Sequence, residues 1–287
     1  MTSKTQAVYD YQFVLRLKEA PISDWMSCSP PFSCKDEYLE KIDNLIHTSK
    51  LNTVKGLQRF SSRHLINGTT QSFDEAYHRY SKKRLRIFRG EYAYHKRVNP
   101  DYVYLEDEPL KENDFVIISF PFCSTGDKHE LLEKTLNEAG RLNVPVEIDC
   151  AYFGTCHSIE FDFTHDAIKA VSFSLSKGMG MGDIRSGIRY SFYDDDYPIA
   201  QQNNYNHTVL LAAKMGIHMM DKFNFDYIPN TYREAQKSVC SELGVTATKC
   251  MHLAIGDKES FLDYLVDDKY YRLGIREAVK KRNQGKL

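Results

Sequence analysis

Short apolar runs alternate with helical patterns through the middle of the chain. One of them, DFVIISF at residues 114–120, has the nearly continuous hydrophobicity of a strand that is buried on both faces. Strands that alternate with helices predict an α/β fold with a mostly parallel sheet and helices on its faces. The patterns predict strands at 64–66, 85–88, 114–120, 144–148 and 167–174, and helices at 71–80 and 128–141.

The two ends of the chain follow the alternating pattern less closely. Residues 36–46 predict a short helix, and residues 203–244 predict a long helical region with a break near 225–230. Within 264–286 a strand-like piece precedes a basic helical tail, and no Gly/Ser-rich linker separates the parts. These features predict three regions: an N-terminal segment (1–60), a large domain (61–235) and an abbreviated small C-terminal domain (236–287).

Composition and charge exclude several classes of protein. The 38 basic and 39 acidic residues give a net charge of −1, whereas non-specific nucleic-acid binders usually carry a basic excess. Because no run approaches ~18 consecutive apolar residues, we expect no membrane-spanning helix. The seven cysteines form no CxxC pair, and the N-terminus lacks the pattern of a secretory signal, so we expect reduced thiols in a cytoplasmic protein. His157, Asp162 and His165 are too loosely spaced to predict a metal site.

Polar residues follow three of the predicted strands, at 67–70, 149–152 and 174–177. Ligands of parallel α/β sheets bind beyond the carboxyl ends of the strands. The stretch SLSKGMGMGDIRSG at 174–187 holds one lysine, Lys177, with an arginine eight positions later. A deprotonated lysine can form a Schiff base with a carbonyl, and the planar guanidinium of an arginine suits a phosphate.

Three motifs in this region resemble those of the class I/II aminotransferases, a family that depends on pyridoxal phosphate (PLP) and has the fold called type I. They are the lysine stretch SxSKxxGxGxxRxG, the DCAY sequence at 149–152 and the GTTQ turn at 68–71, in the order of the family. The resemblance covers residues 63–235 and implies fold type I, PLP as cofactor, an amino donor and a keto acceptor as substrates, and a homodimer.

The resemblance also implies a role for each matching residue. Lys177 would carry PLP as an internal aldimine and move a proton during transamination, Asp149 would pair with the pyridinium nitrogen, and Tyr152 would bond the phenolic oxygen of the ring. Tyr92, in the sequence GEYAY, is a weaker match to the aromatic residue that stacks on the ring. The phosphate would be held by the turn, the helix start and two residues of the lysine motif: Gly68, Thr69, Thr70, Ser174 and Arg185.

The chain departs from the family at the substrate side of the site. After the strand at 114–120 the family has an asparagine that contacts the ring oxygen and the substrate carboxylate, and Cys123 occupies that position here. A thiol is a weak donor that cannot replace the two-sided bonding of an amide. The chain is also shorter than typical members. For the carboxylate-binding arginine near the C-terminus, Arg272 is the first candidate and Arg276 the second.

Each candidate also has a structural interpretation, and the function has alternatives. Lys177 could be a surface residue, Asp149 a cap, and Tyr152 a core aromatic. Thr69 and Thr70 could cap a helix, and Arg272 could belong to the basic tail. We expect a PLP-dependent aminotransferase. The alternatives are a PLP-dependent decarboxylase or lyase, or a catalytically weak protein that binds the cofactor or a partner without turnover.

Overall fold

The computed structural model describes residues 34–193 and 196–285, so most of the predicted N-terminal segment lies outside the described residues. The strands are β1 (Thr53–Lys55), β2 (Ser62–Ile66), β3 (Arg84–Ile87), β4 (Val103–Tyr104), β5 (Asp114–Ser119), β6 (Val146–Cys150), β7 (Glu160–Asp162), β8 (Ile168–Ser174), β9 (Gly187–Ser191), β10 (Thr246–Ala247), β11 (Leu253–Ile255), β12 (Leu265–Val266) and β13 (Tyr270–Gly274). The helices are α1 (Cys34–His47), α2 (Thr69–Arg79), α3 (Ala93–Val98), α4 (Leu132–Arg141), α5 (Leu175–Gly178), α6 (Pro198–Asn204), α7 (Leu210–Lys222), α8 (Tyr227–Leu243) and α9 (Arg276–Asn283).

A seven-stranded sheet with the order β2-β9-β8-β6-β5-β3-β4 organises the large part of the chain. Every pairing in it is parallel except those of β9, which runs antiparallel to both β2 and β8. All residues of β5 and β6 are buried, as expected for central strands that are covered on both faces. The predicted α/β class with a mostly parallel sheet is confirmed.

Helices cover both faces of this sheet because successive side chains of a strand point in opposite directions. On β5, Phe115 packs in a cluster with Phe73 of α2. The next residue, Val116, packs in the main cluster with Leu136 of α4. Among the described helices, none combines the length and the hydrophobicity that crossing a bilayer requires.

A second hydrophobic cluster lies in the C-terminal part of the chain. There β10, β11, β13 and β12 form a four-stranded antiparallel sheet, in that order. The cluster contains Val239 of α8, Leu273 of β13 and Val279 of α9. Its first residue along the chain is Ile228. The division of the chain at residues 60 and 235 stays a prediction.

Three local expectations differ from the structure. The region 203–244 holds the end of α6 and all of α7 and α8, not one helix with a single break. The first break follows Asn204, the last residue of α6. Its neighbour Asn203 pairs through its side chain with the backbone N–H and carbonyl of Leu65 on β2. The helix predicted from 128 begins at Leu132. Just before it, the ring of His129 stacks on Phe88 with the centroids 3.6 Å apart and accepts the backbone N–H of Leu131 at 3.1 Å. Strand β9 was not predicted at all.

Buried acids lie between α2 and the sheet. Glu75 of α2 forms an ion pair with Arg189 of β9 and accepts a hydrogen bond from the backbone N–H of Ile199 at 2.7 Å. Glu147 of β6 accepts a bond of 3.3 Å from the hydroxyl of Tyr193. Burial raises the pKa of Glu147 to about 7, although the charge of Arg189 opposes the rise.

This raised pKa predicts how stability depends on pH. The folded protein holds the proton of Glu147 more tightly than the unfolded chain does. The protonated side chain therefore contributes fully to the free energy of unfolding below the ordinary pKa of about 4.5, and this contribution is lost as the pH rises through about 7. The free energy of unfolding should fall in this window by up to about 1.4 kcal/mol per pH unit from this group. Urea unfolding of Glu147→Gln at several pH values should show a flatter profile than the wild type, while exposed Glu133→Gln keeps the wild-type slope. If the free energy of unfolding changes equally with pH in Glu147→Gln and Glu133→Gln, the pKa of Glu147 is not raised as stated.

Candidate active site

A cavity of about 380 Å³ lies beyond the carboxyl ends of β5, β6 and β8. It brings together residues that are far apart in the sequence, since Asp149 lies in β6 and Lys177 in the short helix after β8. Its lining consists of Thr69, Thr70, Tyr92, Ser119, Pro121, Cys123, Asp149, Ala151, Tyr152, Lys177 and Arg185. Most of the residues predicted from the sequence motifs therefore face one space.

The carboxylate of Asp149 and the amine of Lys177 both line this cavity. Asp149 is buried, and its Oδ1 accepts a hydrogen bond of 2.9 Å from the backbone N–H of Ala151. Burial raises the pKa of Asp149, and the positive charge of Lys177 counteracts the rise. Burial lowers the pKa of Lys177, and Asp149 counteracts that shift. Lys177 consequently loses its proton more readily than an exposed lysine and is suited to act as a nucleophile.

Close packing of two glycines holds Lys177 over Tyr152. A Cβ on Gly154 would lie 2.7 Å from the Cα of Gly178, so the turn after Tyr152 and the helix α5 approach more closely than larger residues allow. The Nζ of Lys177 lies 4.7 Å from the ring centroid of Tyr152.

Ser174 contributes to the same local structure as the N-cap of α5. Its hydroxyl oxygen accepts a bond of 3.1 Å from the backbone N–H of Ser176 and donates to Ser176 Oγ at 2.9 Å. Ser174 lies outside the lining of the cavity. Its contact with a phosphate stays a prediction.

The part of the lining formed by Arg185 and the start of α2 is suited to an anion. The Nη2 of Arg185 donates to Thr70 Oγ1 at 2.6 Å, and α2 begins at Thr69 with its N-terminus toward this part of the cavity. Gly68 has a φ of +69°, and a Cβ there would lie 2.9 Å from Nη2 of Arg185. The buried Nε of Arg185 has no hydrogen-bond partner within the described part of the chain. A helix start and a guanidinium with an open donor fit a phosphate group.

Tyr92 and Cys123 form a further part of the cavity lining. The ring of Tyr92 is 39% exposed, and its centroid lies 6.0 Å from Nζ of Lys177. Cys123 is buried, and its thiol donates to the carbonyl of Gly90 at 3.0 Å. This hydrogen bond directs the thiol proton toward the protein backbone.

The two candidate arginines lie in different surroundings. Arg272, on β13, donates from Nη1 to the backbone carbonyl of Cys123 at 3.1 Å, so it reaches the wall of the cavity. Arg276 is buried at the start of α9 and bonds Glu277, with a distance of 3.0 Å from Nε to Oε1. Neither arginine belongs to the lining of the cavity, so the assignment of Arg272 or Arg276 to a substrate carboxylate stays a prediction.

Several residues at the site were not predicted from the sequence. Ser119, Pro121 and Ala151 line the cavity, and each follows or ends a strand that was predicted. Their positions at strand ends could have indicated them.

His252 is a further neighbour of the site that no sequence signal indicates, because it comes from the C-terminal part of the chain. Its ring is perpendicular to that of Tyr152, with the centroids 4.4 Å apart. Burial lowers the pKa of His252 well below its usual range, and the charge of Lys177 acts in the same direction. The imidazole beside Tyr152 is therefore neutral.

Several solved structures with the same fold are aminotransferases. A probable N-succinyldiaminopimelate aminotransferase from Thermus thermophilus superposes with a TM-score of 0.66 at 14% identity, over 99% of this chain and 98% of that one. Histidinol-phosphate aminotransferase from Clostridium acetobutylicum gives 0.63 at 16% identity, with 96% and 97% covered. A PLP-bound putative aminotransferase from Clostridium difficile gives 0.64 at 11% identity, with 96% and 90% covered. The chain has the fold of these aminotransferases, as the sequence motifs predicted.

Comparison at the level of sequence gives nothing further. No family model matches the chain, and no curated protein sequence matches it.

Proposed function

We propose that this protein is a PLP-dependent aminotransferase that moves an amino group between an amino acid or amine and a keto acid. The observation that carries the proposal is one cavity that joins a lysine of lowered pKa, a buried carboxylate and an anion site. Together these groups supply the amine, ring and phosphate contacts that PLP requires. The shared fold of aminotransferases, one of them PLP-bound, supports the same interpretation.

The residues present fit the cofactor. Lys177 would hold it covalently, Asp149 would face the ring nitrogen, and Tyr152 the ring oxygen. Arg185 and the start of α2 would hold the phosphate, using the open Nε of Arg185. When bound, PLP supplies a protonated ring that withdraws electrons from the substrate carbon.

The chain's own contribution to the reaction is proton transfer and orientation. The amine of Lys177 has a lowered pKa, so it can accept a proton at the substrate carbon and return it. Asp149 keeps its negative charge directed at the ring nitrogen, since the backbone N–H of Ala151 fixes its carboxylate. Tyr92 would limit how the ring tilts, which determines the bond that reacts.

The assignment of Lys177 predicts a specific chemical label. Borohydride reduction of the protein with PLP should attach a pyridoxyl group to Lys177, because its amine is the one whose pKa is lowered beside the anion site. Peptide mass spectrometry checks the position. Lys177→Ala should lose the label, and Lys169→Ala, which alters a lysine of β8 outside the cavity lining, should keep it. A label on another lysine in the wild type would show that the assignment is wrong.

The substrate side predicts an unusual preference. Because the thiol of Cys123 donates to Gly90, it offers no donor to a substrate carboxylate, and Arg272 would bind that group without help from an amide. A lost hydrogen bond to a charged group costs roughly 1.5–3 kcal/mol, about one to two decades of affinity. We therefore propose weak binding of simple α-amino acids, or a substrate recognised elsewhere, such as an amine without a carboxylate.

Cys123→Asn tests this preference. The added amide should lower KM for α-amino acids by about tenfold and leave carboxylate-free amines unchanged. The measurement is a KM panel of both classes of compound, with Cys123→Ser as a control that removes the thiol without adding an amide. If every KM stays at its wild-type value in Cys123→Asn, position 123 does not face the substrate.

We also propose a cytoplasmic homodimer. An open cleft of about 870 Å³ adjoins Arg185 and Thr70, and the exposed residues Tyr205 and Leu211 flank its segment at 207–209. A second copy seated there would close the phosphate end of the cavity. The six described cysteines are free thiols, which supports a reducing compartment.

Sedimentation velocity tests the dimer. The wild type should sediment as a dimer at micromolar concentration, and Leu211→Asp should shift it toward monomer because a charge replaces an apolar contact. Lys214→Asp, a neighbouring change on α7, serves as the control. A fully active wild-type monomer would contradict the proposal.

A further inference from the structure

A buried carboxylate outside the cavity connects two of its walls. Glu91 is 2% exposed and lies directly before Tyr92. Its Oε2 accepts a hydrogen bond of 2.9 Å from the backbone N–H of Ser119, and its Oε1 accepts one of 2.6 Å from the hydroxyl of the same residue. Oε1 also accepts the backbone N–H of Tyr92 at 2.8 Å. All three donors belong to residues that line the cavity.

The hydrogen bonds continue from Ser119 to the substrate side. Ser119 Oγ accepts the backbone N–H of Cys123 at 2.9 Å, and the carbonyl of Cys123 accepts Nη1 of Arg272 at 3.1 Å. One branch from Glu91 therefore fixes the backbone at Tyr92. The other passes through Ser119 and Cys123 to Arg272.

A buried carboxylate costs free energy unless donors surround it, so this arrangement needs a reason. Glu91 makes no contact with the space of the cavity itself. Its three bonds instead hold the backbone of Tyr92 and the residue Ser119, which connects through Cys123 to Arg272.

We propose that Glu91 is a positioning residue that sets, through Ser119, the distance between the ring-stacking wall at Tyr92 and the carboxylate-binding wall at Arg272. The proposal rests on the proposed function, because those two walls have these roles only around bound PLP and its substrate. Glu91 selects for ligands whose carboxylate and ring are held at that fixed separation.

Two reduced adducts of PLP serve as probes, since both bind without turnover. The glycine adduct carries ring, phosphate and carboxylate, whereas the methylamine adduct lacks the carboxylate. Calorimetry gives the affinity for each. The variants are Glu91→Gln, which keeps the volume but turns one acceptor into a donor, and Ser119→Ala, which breaks the branch to Cys123 and Arg272. Because Ser119 also lines the cavity, a direct loss of contact with the ring would weaken both adducts alike, and the difference between the adducts reports the branch. Glu106→Gln is the matched control, because Glu106 accepts the backbone N–H of Arg89 in the same region and lies outside the cavity lining.

Glu91→Gln should bind both adducts about tenfold more weakly than Glu106→Gln, because the backbone at Tyr92 is no longer held in place. Ser119→Ala should weaken the glycine adduct about tenfold and the methylamine adduct much less. Visible circular dichroism of bound PLP should change in Glu91→Gln, because the tilt of the ring follows Tyr92, and should keep its wild-type form in Glu106→Gln.

Equal affinities in Glu91→Gln and Glu106→Gln, or equal losses for both adducts in Ser119→Ala, would overturn the positioning role. If Glu91→Gln fails to fold, the affinities of Ser119→Ala for the two adducts test the positioning role without it. A wild type that binds neither adduct would show that the proposed cofactor site is wrong, and the positioning role would fall with it. A wild type that binds both, with variants that match it, would refute only the role of Glu91.

Discussion

The site depends on the attraction between the opposite charges of Asp149 and Lys177. Asp149 is buried at the end of a central strand, and Lys177 is half-buried just beyond another. Burial moves their pKa values in opposite directions, and each charge partly restores the other. Removal of either group would leave its partner as an isolated charge in a protein interior, which is costly. This mutual dependence keeps an amine of lowered pKa beside an acid.

The rest of the cavity is organised around that pair by backbone geometry. The parallel strands β5, β6 and β8 end at one edge of the sheet, so the chain that leaves each strand contributes one wall. Gly68 permits the turn that brings the start of α2 to Arg185, and the contact of Gly154 with Gly178 brings Lys177 over Tyr152. The anion end therefore depends on packing as much as on charge.

Much of this could be predicted from the sequence because it is encoded locally. Lys177 and Arg185 lie in one stretch, and Asp149 follows an apolar run that is easily recognised. The groups that link these motifs are encoded by tertiary contacts. Glu91 and His252 reach the site from a loop and from the C-terminal part of the chain, so spacing along the sequence carries no signal for them.

Contacts between distant parts of the chain also explain where the predicted secondary structure differs from the structure. Strand β9 contains the charged residue Arg189, which interrupts the hydrophobic pattern that would predict a strand. In the fold, Arg189 is buried in an ion pair with Glu75 of α2. At the end of α6, Asn203 bonds Leu65, and these bonds join segments that are distant in the chain. Helical periodicity is a local property and cannot report either contact.

The visible absorption spectrum of the purified protein with PLP tests the central claim most directly. Addition of an amino donor should convert the yellow cofactor to its pyridoxamine form, and a keto acid should then restore the original band. Asp149→Ala should bind PLP without this conversion, because the ring nitrogen loses the charge that keeps it protonated. A spectrum that stays unchanged with a broad panel of amino acids and amines, or a conversion that Asp149→Ala performs as well as the wild type, would contradict the account.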